Sequence, residues 1–149
     1  RAIPSIDGRV PARWRVRARL RAIAAGAGAI TYFWADRTGG GARWGALIRG
    51  SDGALWITDL TGGSNTAGAG TIATDGTGWI ELEWTGAALV LRYGTGVGTA
   101  EPTSWTESLR SSGPAAAAAW ATIGFAGAAD PAATGATVTE WDDCTVEAL

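Results

Sequence analysis

Residues 13–22 alternate without exception between arginine and an apolar residue, and this alternation restricts the fold more than any other feature. In an extended chain successive side chains point to opposite faces, so the segment predicts a β-strand with one apolar face and one arginine face. A helix would scatter the same arginines around its whole circumference. The amino-terminal part of the chain therefore predicts a sheet that turns one face to a core.

Further short segments rich in β-branched and aromatic residues follow along the chain, separated by glycine-rich turns. Turn signals that recur about every 8–12 residues are typical of β-sandwiches and barrels. The predicted strands are residues 13–22, 30–36, 42–49, 54–60, 78–85, 88–93, 120–126 and 137–147, whereas residues 61–70 and 95–112 are predicted as loops. Residues 115–119 could begin a short helix. No linker divides the chain, so we expect one all-β domain with two antiparallel sheets over residues 1–149.

The composition excludes several kinds of site. The chain contains no His and one Cys, which excludes a Cys/His zinc site, a nucleophile that relies on a His base and a disulfide within the chain. We predict no cofactor, although Asp142, Asp143 and the loop 36–41 could supply oxygen ligands for Ca²⁺. No apolar window is long enough for a transmembrane helix. Because the chain has no Met, we expect it to be a piece of a longer polypeptide.

Opposite charges gather at the two ends of the chain. Residues 1–21 contain seven Arg and one Asp, and residues 138–149 contain four acids and no base. Because opposite charges on neighbouring strands stabilise a pair by roughly 0.2–1 kcal/mol, we predict that the first and last strands lie side by side in one sheet. Two alternatives stay open for the arginine face: binding of phosphates or an anionic polysaccharide, and contact with a partner protein. Nucleic acid is not an expected partner, because the net charge is −2 and no aromatic residue interleaves with the arginines.

Nine Trp residues supply much of the apolar bulk in a chain that has 26 Leu, Ile, Val and Phe residues in total. Strand alternation places some of the Trp residues on outer faces, where an aromatic ring beside polar groups suits the stacking of sugars. The candidate carbohydrate-binding residues are Trp34, Trp56, Trp79, Glu81, Glu83 and Trp120. The alternative is that most Trp residues fill the core or an interface between subunits.

Three segments in a fixed order carry a family resemblance. They are a predicted hairpin at residues 80–93 (IELEWTGAALVLRY), a short strand with Ile-Gly at residues 121–127 (ATIGFAG) and an acidic last strand at residues 138–146 (VTEWDDCTV). In this order they resemble the central hairpin, a short strand and the closing strand of the concanavalin A-like jelly roll, in its laminin-G-like branch. The resemblance implies a jelly-roll sandwich of two antiparallel sheets.

A narrower resemblance comes from residues 93–109, where a strand runs into a loop with the step Ser104-Trp105-Thr106. With the Gly-, Ala- and Thr-rich composition, this segment resembles laminin-G-like domains in minor tail proteins of phages that infect actinobacteria. The resemblance implies an extracellular module on the virion, near the host surface, which forms a homo-oligomer within a larger assembly.

Glu81 and Glu83 share one face of a predicted strand and lie roughly 7 Å apart by strand geometry. Inverting glycosidases place their two carboxylates about 6.5–9.5 Å apart, so the spacing permits that chemistry. Some glucanases that share the jelly roll carry a third alternating acid, and here Thr85 stands in its place. The favoured interpretation is therefore a solvated polar face on which the two acids pair with Arg92 or with the arginine strand.

These observations lead to one expected function and two alternatives. We expect a non-catalytic phage-tail module that binds host cell-envelope carbohydrate through outward Trp residues, with Glu and Arg side chains supplying hydrogen bonds. Each copy is expected to bind weakly, and many copies together to act through avidity. The first alternative is a structural decoration or assembly domain that contacts other virion proteins. The second is a glycoside hydrolase that uses Glu81 and Glu83. No membrane partner is expected.

Overall fold

The computed structural model describes residues 2–3, 12–23, 29–37, 43–112, 120–129 and 139–149, with side chains for 12–21, 35, 43–112 and 140–149. Eleven strands lie within these residues. They are β1 (Ala2–Ile3), β2 (Trp14–Ile23), β3 (Ala29–Arg37), β4 (Arg43–Arg49), β5 (Ala54–Asp59), β6 (Ser64–Thr71), β7 (Gly78–Trp84), β8 (Leu89–Thr95), β9 (Thr106–Ser111), β10 (Trp120–Ala129) and β11 (Thr139–Ala148). The described residues contain no helix, so the predicted all-β class is confirmed.

The strands form two sheets in which every neighbouring pair is antiparallel. The six-stranded sheet has the order β1-β10-β3-β4-β5-β6, and the five-stranded sheet has the order β11-β2-β7-β8-β9. Buried residues of both sheets belong to a single hydrophobic cluster. The architecture is therefore consistent with a β-sandwich, as the turn spacing predicts.

The core confirms the strand alternation that the sequence predicts for β2 and β7. Trp14 of β2 and Trp84 of β7 are both buried and stand directly opposite each other in the five-stranded sheet. Two large aromatic rings at one position bury more apolar surface than the scarce aliphatic residues could supply there. The core includes Trp14, Val16, Leu20, Ile48, Leu55, Ile57, Ile80, Leu82, Trp84, Leu89 and Leu91.

The first long strand and the last strand are neighbours, which confirms the prediction from their opposite charges. In the register of β2 and β11, Arg15 stands opposite Glu147 and Arg19 opposite Asp142. The register shifts between Asp142 and Thr145, and Asp143 within this bulge has a φ of 52°. The bulge brings the consecutive acids Asp142 and Asp143 to the same arginine, Arg19.

Strands β6 and β9 occupy segments that the sequence predicts as loops, so the prediction is wrong at both places. Each lies at the edge of its sheet, and an edge strand does not need the alternation of large apolar residues that marks an inner strand. The two edges meet, because the Ser108 hydroxyl donates a hydrogen bond of 2.7 Å to the carbonyl oxygen of Ala69. The segment 115–119, considered above for a short helix, lies outside the described residues.

The turn at residues 50–53 joins β4 to β5, as predicted, and it sets the geometry of one exposed surface. Gly53 has a φ of 69°, and its N–H donates to the Arg49 carbonyl oxygen over 2.8 Å. This left-handed conformation strains any residue with a Cβ, so the turn requires glycine. The turn holds Asp52 close to Arg49, at the end of the strand that precedes Trp56.

Candidate functional site

The candidate residues predicted from the sequence lie on two different sheets and do not form one site. Trp79, Glu81 and Glu83 lie on β7, on the outer face of the five-stranded sheet, because Ile80 and Leu82 between them belong to the core. Strand alternation thus predicts their common face correctly. Whether these three side chains can bind a ligand depends on what covers that face.

The remaining candidates lie on the six-stranded sheet. Trp56 is half-buried on β5, between two core residues, so it occupies the outer face as predicted. Trp34 lies on β3, where its register partners are Gly45 and Gly124, and Trp120 begins β10. The side chains of Trp34 and Trp120 lie outside the part of the chain whose side chains the structure describes, and their sugar-binding role stays a prediction.

The predicted exposure of Trp79 is wrong, because a loop covers its ring. The side chain is 3 % exposed, and a Cβ added to Gly96 would lie 2.7 Å from Trp79 Nε1. A Cβ added to Gly94 would lie equally close, 2.7 Å, to Cγ of Pro102. Residues 96–105, here the covering loop, therefore fold back over the outer face of the five-stranded sheet. Among the described residues, Trp79 Nε1 is buried without a hydrogen-bond partner.

Arg17 ties the covering loop to the sheet. Its Nη1 lies 2.6 Å from Oε1 of Glu101, and its Cζ lies 5.2 Å from the centre of the Trp105 ring. Both contacts start from the arginine face of β2 and end on the loop. One guanidinium thus makes both a cation–π contact and an ion pair. A planar guanidinium can do this because its face lies against the ring while its edge donates to a carboxylate.

Glu81 is also closed to solvent, with 2 % of its side chain exposed. Its Oε2 accepts a hydrogen bond of 2.7 Å from Nε of Arg17, and its Oε1 accepts one from Nη1 of Arg92. The same Nη1 donates to Oε2 of Glu83 over 2.7 Å. The two carboxylates therefore share a guanidinium on one face and do not face each other across a groove. The predicted pairing with Arg92 or the arginine strand is confirmed, whereas the predicted solvation is wrong for Glu81, because the covering loop closes it to water.

The rest of the arginine face is neutralised by β11. Nε of Arg15 donates to Glu147 over 3.1 Å, and this hydrogen bond lowers the pKa of Glu147 below its ordinary value. Nε of Arg19 lies 2.7 Å from Asp143, and its Nη2 lies 3.0 Å from Asp142. Arg15 and Arg19 of this face thus pair with the acids of β11, and binding of an anion or of a partner protein stays a prediction.

One outer surface of the six-stranded sheet, which no other described segment covers, combines an aromatic ring with polar groups. Cζ of Arg49 lies 5.0 Å from the centre of the Trp56 ring, and Nε of Arg49 donates to Oδ1 of Asp52 over 2.8 Å. On the neighbouring edge strand Ala67 stands opposite Trp56, and Asn65 is exposed two residues away. These five residues are called the Trp56 surface below.

The Trp56 surface offers a ring, hydrogen-bond donors and hydrogen-bond acceptors at one place. The hydrogen bond from Arg49 holds the pKa of Asp52 below its ordinary value, and the same bond raises the pKa of Arg49. Both groups are therefore charged at neutral pH and paired with each other. Arg49 and Asp52 are not among the candidate residues predicted from the sequence. The sequence feature that could have indicated them is an arginine and an acid three residues apart across a tight turn, close to a Trp on the outer face.

The structure offers little for a metal ion in the part that it describes. No group of three or more acidic or Cys side chains comes together among the described residues. Asp142 and Asp143 are engaged by Arg19. Most of the loop 36–41, the other source considered for Ca²⁺ ligands, lies outside the described residues, so the Ca²⁺ possibility stays a prediction.

Comparison of the chain with protein-family profiles, with curated proteins and with solved structures finds no match. The described part of the chain contains no helix with the length and apolar character that crossing a bilayer requires.

Proposed function

We propose that this chain is a non-catalytic module of a phage tail that binds carbohydrate of the host cell envelope, and that it binds through the Trp56 surface. The observation that carries the proposal is the half-buried Trp56 ring in cation–π contact with Arg49 of the Arg49–Asp52 ion pair. The place on a virion comes from the resemblance of residues 93–109 and of the overall composition to laminin-G-like domains of tail proteins.

The strand order supports the more specific part of the fold proposal, the jelly roll. In the five-stranded sheet β2 pairs with β11, and in the six-stranded sheet β3 pairs with β10. An early strand thus lies beside a late strand in both sheets, as in a long double strand that has been rolled up into a sandwich. This arrangement agrees with the order of the segments that resemble the laminin-G-like branch.

The Trp56 surface has the chemistry that a sugar requires. The C–H groups of a pyranose or furanose ring can contact the indole, and its hydroxyls can accept from Arg49 and donate to Asp52. Asn65 on the edge strand adds an amide that can do both. The surface is shallow, because it lies on the outer face of a sheet. Each copy therefore binds weakly, and an assembly of copies supplies the avidity.

A hydrolase is not supported by the arrangement of the two predicted acids. Both oxygens of Glu81 are engaged by guanidinium groups beneath the covering loop. A general acid or base must come within hydrogen-bond reach of the glycosidic oxygen or of a water molecule, and this carboxylate is closed to both. We therefore propose a binding role without turnover.

A structural role is the second candidate, and the edge strand β6 favours it. Residues 64–71 form an edge that carries no charged side chain and no proline, and nearly all of its residues are exposed. Charge and proline are two usual protections of an edge against pairing with another strand, and this edge has neither. In this alternative the edge and Trp56 contact a neighbouring virion protein.

A printed glycan array with the folded domain, followed by titration of the Trp56→Ala variant, tests the proposal. We expect binding to cell-envelope glycans of the arabinogalactan type, and a loss of about tenfold or more in the variant, as for removal of an aromatic contact residue. Trp105→Ala is the matched control, since Trp105 is also half-buried beside an arginine but lies over the other sheet. If the folded domain binds no glycan, the structural role is favoured instead.

A further inference from the structure

We infer that the Trp56 surface selects uncharged sugars and disfavours glycans that carry carboxylates or phosphates. This inference rests on the proposed function and names the class of ligand for the same surface. It follows from the way in which the charges around Trp56 are already paired.

Arg49, the cation that the described residues place beside Trp56, is already paired. Oδ1 of Asp52 accepts from Nε of Arg49 over 2.8 Å and from the Ala54 N–H over 3.1 Å, and Oδ2 accepts from Nη2 of Arg49. An incoming sugar carboxylate would have to compete with Asp52 for the guanidinium, and Asp52 would then repel it from close range. The pair therefore excludes anions, although it contains an arginine.

The same pair can serve an uncharged diol without breaking. The bonds between Arg49 and Asp52 leave further guanidinium N–H groups as donors and a lone pair of Oδ2 as an acceptor. One sugar hydroxyl can accept from the guanidinium while its neighbour donates to the carboxylate. Charged partners shorten and strengthen such bonds relative to neutral ones. The ion pair thus acts as one fixed donor and acceptor unit beside the ring.

The described surroundings on β5 and β6 add no free charge to this surface. The edge strand β6, which borders the surface, reads SNTAGAGT and carries no charged side chain. The acid at the far end of β5, Asp59, is engaged by its own turn, since its Oδ1 accepts from the N–H groups of Thr61 and Gly62 over 2.9 and 2.8 Å. A neutral ligand would therefore be bound with little dependence on salt.

A matched pair of ligands tests the inference. The probes are arabinogalactan and the same arabinogalactan after oxidation of its primary hydroxyls to carboxylates, titrated at low and high salt. We expect the folded domain to bind the native polymer about tenfold more tightly than the oxidised one, a ratio that corresponds to roughly 1.4 kcal/mol. We expect the affinity for the native polymer to change less than about twofold with salt, because no net charge is exchanged.

Two variants separate the role of the ion pair from a general effect of surface charge. Asp52→Asn frees the Arg49 cation, so we expect weaker binding of native arabinogalactan and binding of the oxidised polymer that is stronger by about fivefold. Glu107→Gln is the matched control, because Glu107 and Arg110 form another exposed pair three residues apart, on β9 of the other sheet. It should change neither affinity.

The outcomes distinguish the inference from the proposed function. If the wild-type domain prefers the oxidised polymer, or if Asp52→Asn leaves both affinities unchanged, the inference is overturned. The proposed function stands in that case, provided that Trp56→Ala still weakens binding. If the folded wild-type domain binds no glycan on the array and neither polymer, the proposed function fails, and the inference fails with it.

Discussion

Nε of Arg17 lies 2.7 Å from Oε2 of Glu81, and this carboxylate is buried on the outer face of a sheet, where water would ordinarily be found. The covering loop makes the difference, because it lies over the face through contacts of Arg17 with Glu101 and Trp105. A surface predicted to bind sugars is thus a partly buried ionic layer with Glu81 closed to solvent at its centre. The energetics of Glu81 follow the rules for buried charges, whereas its arginine partners keep some contact with water.

Replacing the buried acid should strongly destabilise the domain. Glu81→Gln keeps the shape of the side chain but leaves Arg17 and Arg92 facing an uncharged amide in a buried position. Removing one partner of a fully buried pair costs about 3–5 kcal/mol. Arg17 and Arg92 are half-buried and keep Glu101 and Glu83 as partners, so we expect a loss of about 2–3 kcal/mol here. Urea unfolding at neutral pH should show this loss in the free energy of unfolding. Glu107→Gln breaks an exposed pair with Arg110 and should cost less than about 1 kcal/mol. Equal losses in the two variants would contradict the burial of the ionic layer.

The pairing of β2 with β11 should make stability depend on pH in the acid range. The hydrogen bond from Arg15 lowers the pKa of Glu147 from its ordinary 4.5, so the folded chain binds fewer protons here than the unfolded chain. The ion pair therefore contributes its full stability when the pH is above the pKa of Glu147 in the unfolded chain. This contribution is lost as the pH falls through the lower pKa of Glu147 in the folded chain. A double-mutant cycle with Arg15→Met and Glu147→Gln, measured by urea unfolding, should give a favourable coupling at neutral pH. The coupling should vanish in strong acid, and a coupling that persists there would exclude this assignment.

The inner strands could be predicted from the sequence because each carries its own signal. In β2 and β7 every second residue is apolar, and the core contains Val16, Leu20, Ile80 and Leu82, as that period requires. The pairing of β2 with β11 was predictable as well, since the charges of their side chains are opposite. These features depend on residues that are close in sequence or on a simple complementarity of charge.

The edges and the covered face could not be predicted in the same way. Strands β6 and β9 are held by backbone pairing and by the bond from Ser108 to Ala69, and neither cause leaves a periodic pattern in the sequence. The alternation places Trp79 on an outer face, but its burial depends on a loop whose glycines allow close approach to the ring. Strand alternation shows which residues lie on each face of a strand. It does not show whether another segment of the chain covers one of those faces.

Two glycines with the same backbone conformation allow a test of the turn beside Trp56. Gly53 and Gly63 have φ values of 69° and 70°. A Cβ at Gly53 would lie 2.0 Å from the carbonyl oxygen of Ile72, whereas a Cβ at Gly63 would meet nothing within 4 Å. Gly63→Ala should therefore cost only the left-handed strain, about 1–2 kcal/mol. Gly53→Ala should cost clearly more in thermal or urea unfolding, because the backbone of the turn must also move. Similar losses would contradict the close approach.

The covering loop should loosen when its contact with Arg17 is removed. The amide of Gly96 donates to the Thr77 carbonyl oxygen over 2.9 Å, so its hydrogen exchange reports the opening of the loop over Trp79. The cation–π contact of Arg17 with Trp105 contributes about 0.5–1 kcal/mol, so Trp105→Ala should lower the protection of this amide roughly two- to fivefold. Backbone amides hydrogen-bonded between β7 and β8 should keep their protection from hydrogen exchange. Trp56→Ala removes a similar contact from the other sheet and should leave the Gly96 amide unchanged. If Trp105→Ala changes nothing at Gly96, Arg17 and Trp105 do not hold the loop closed.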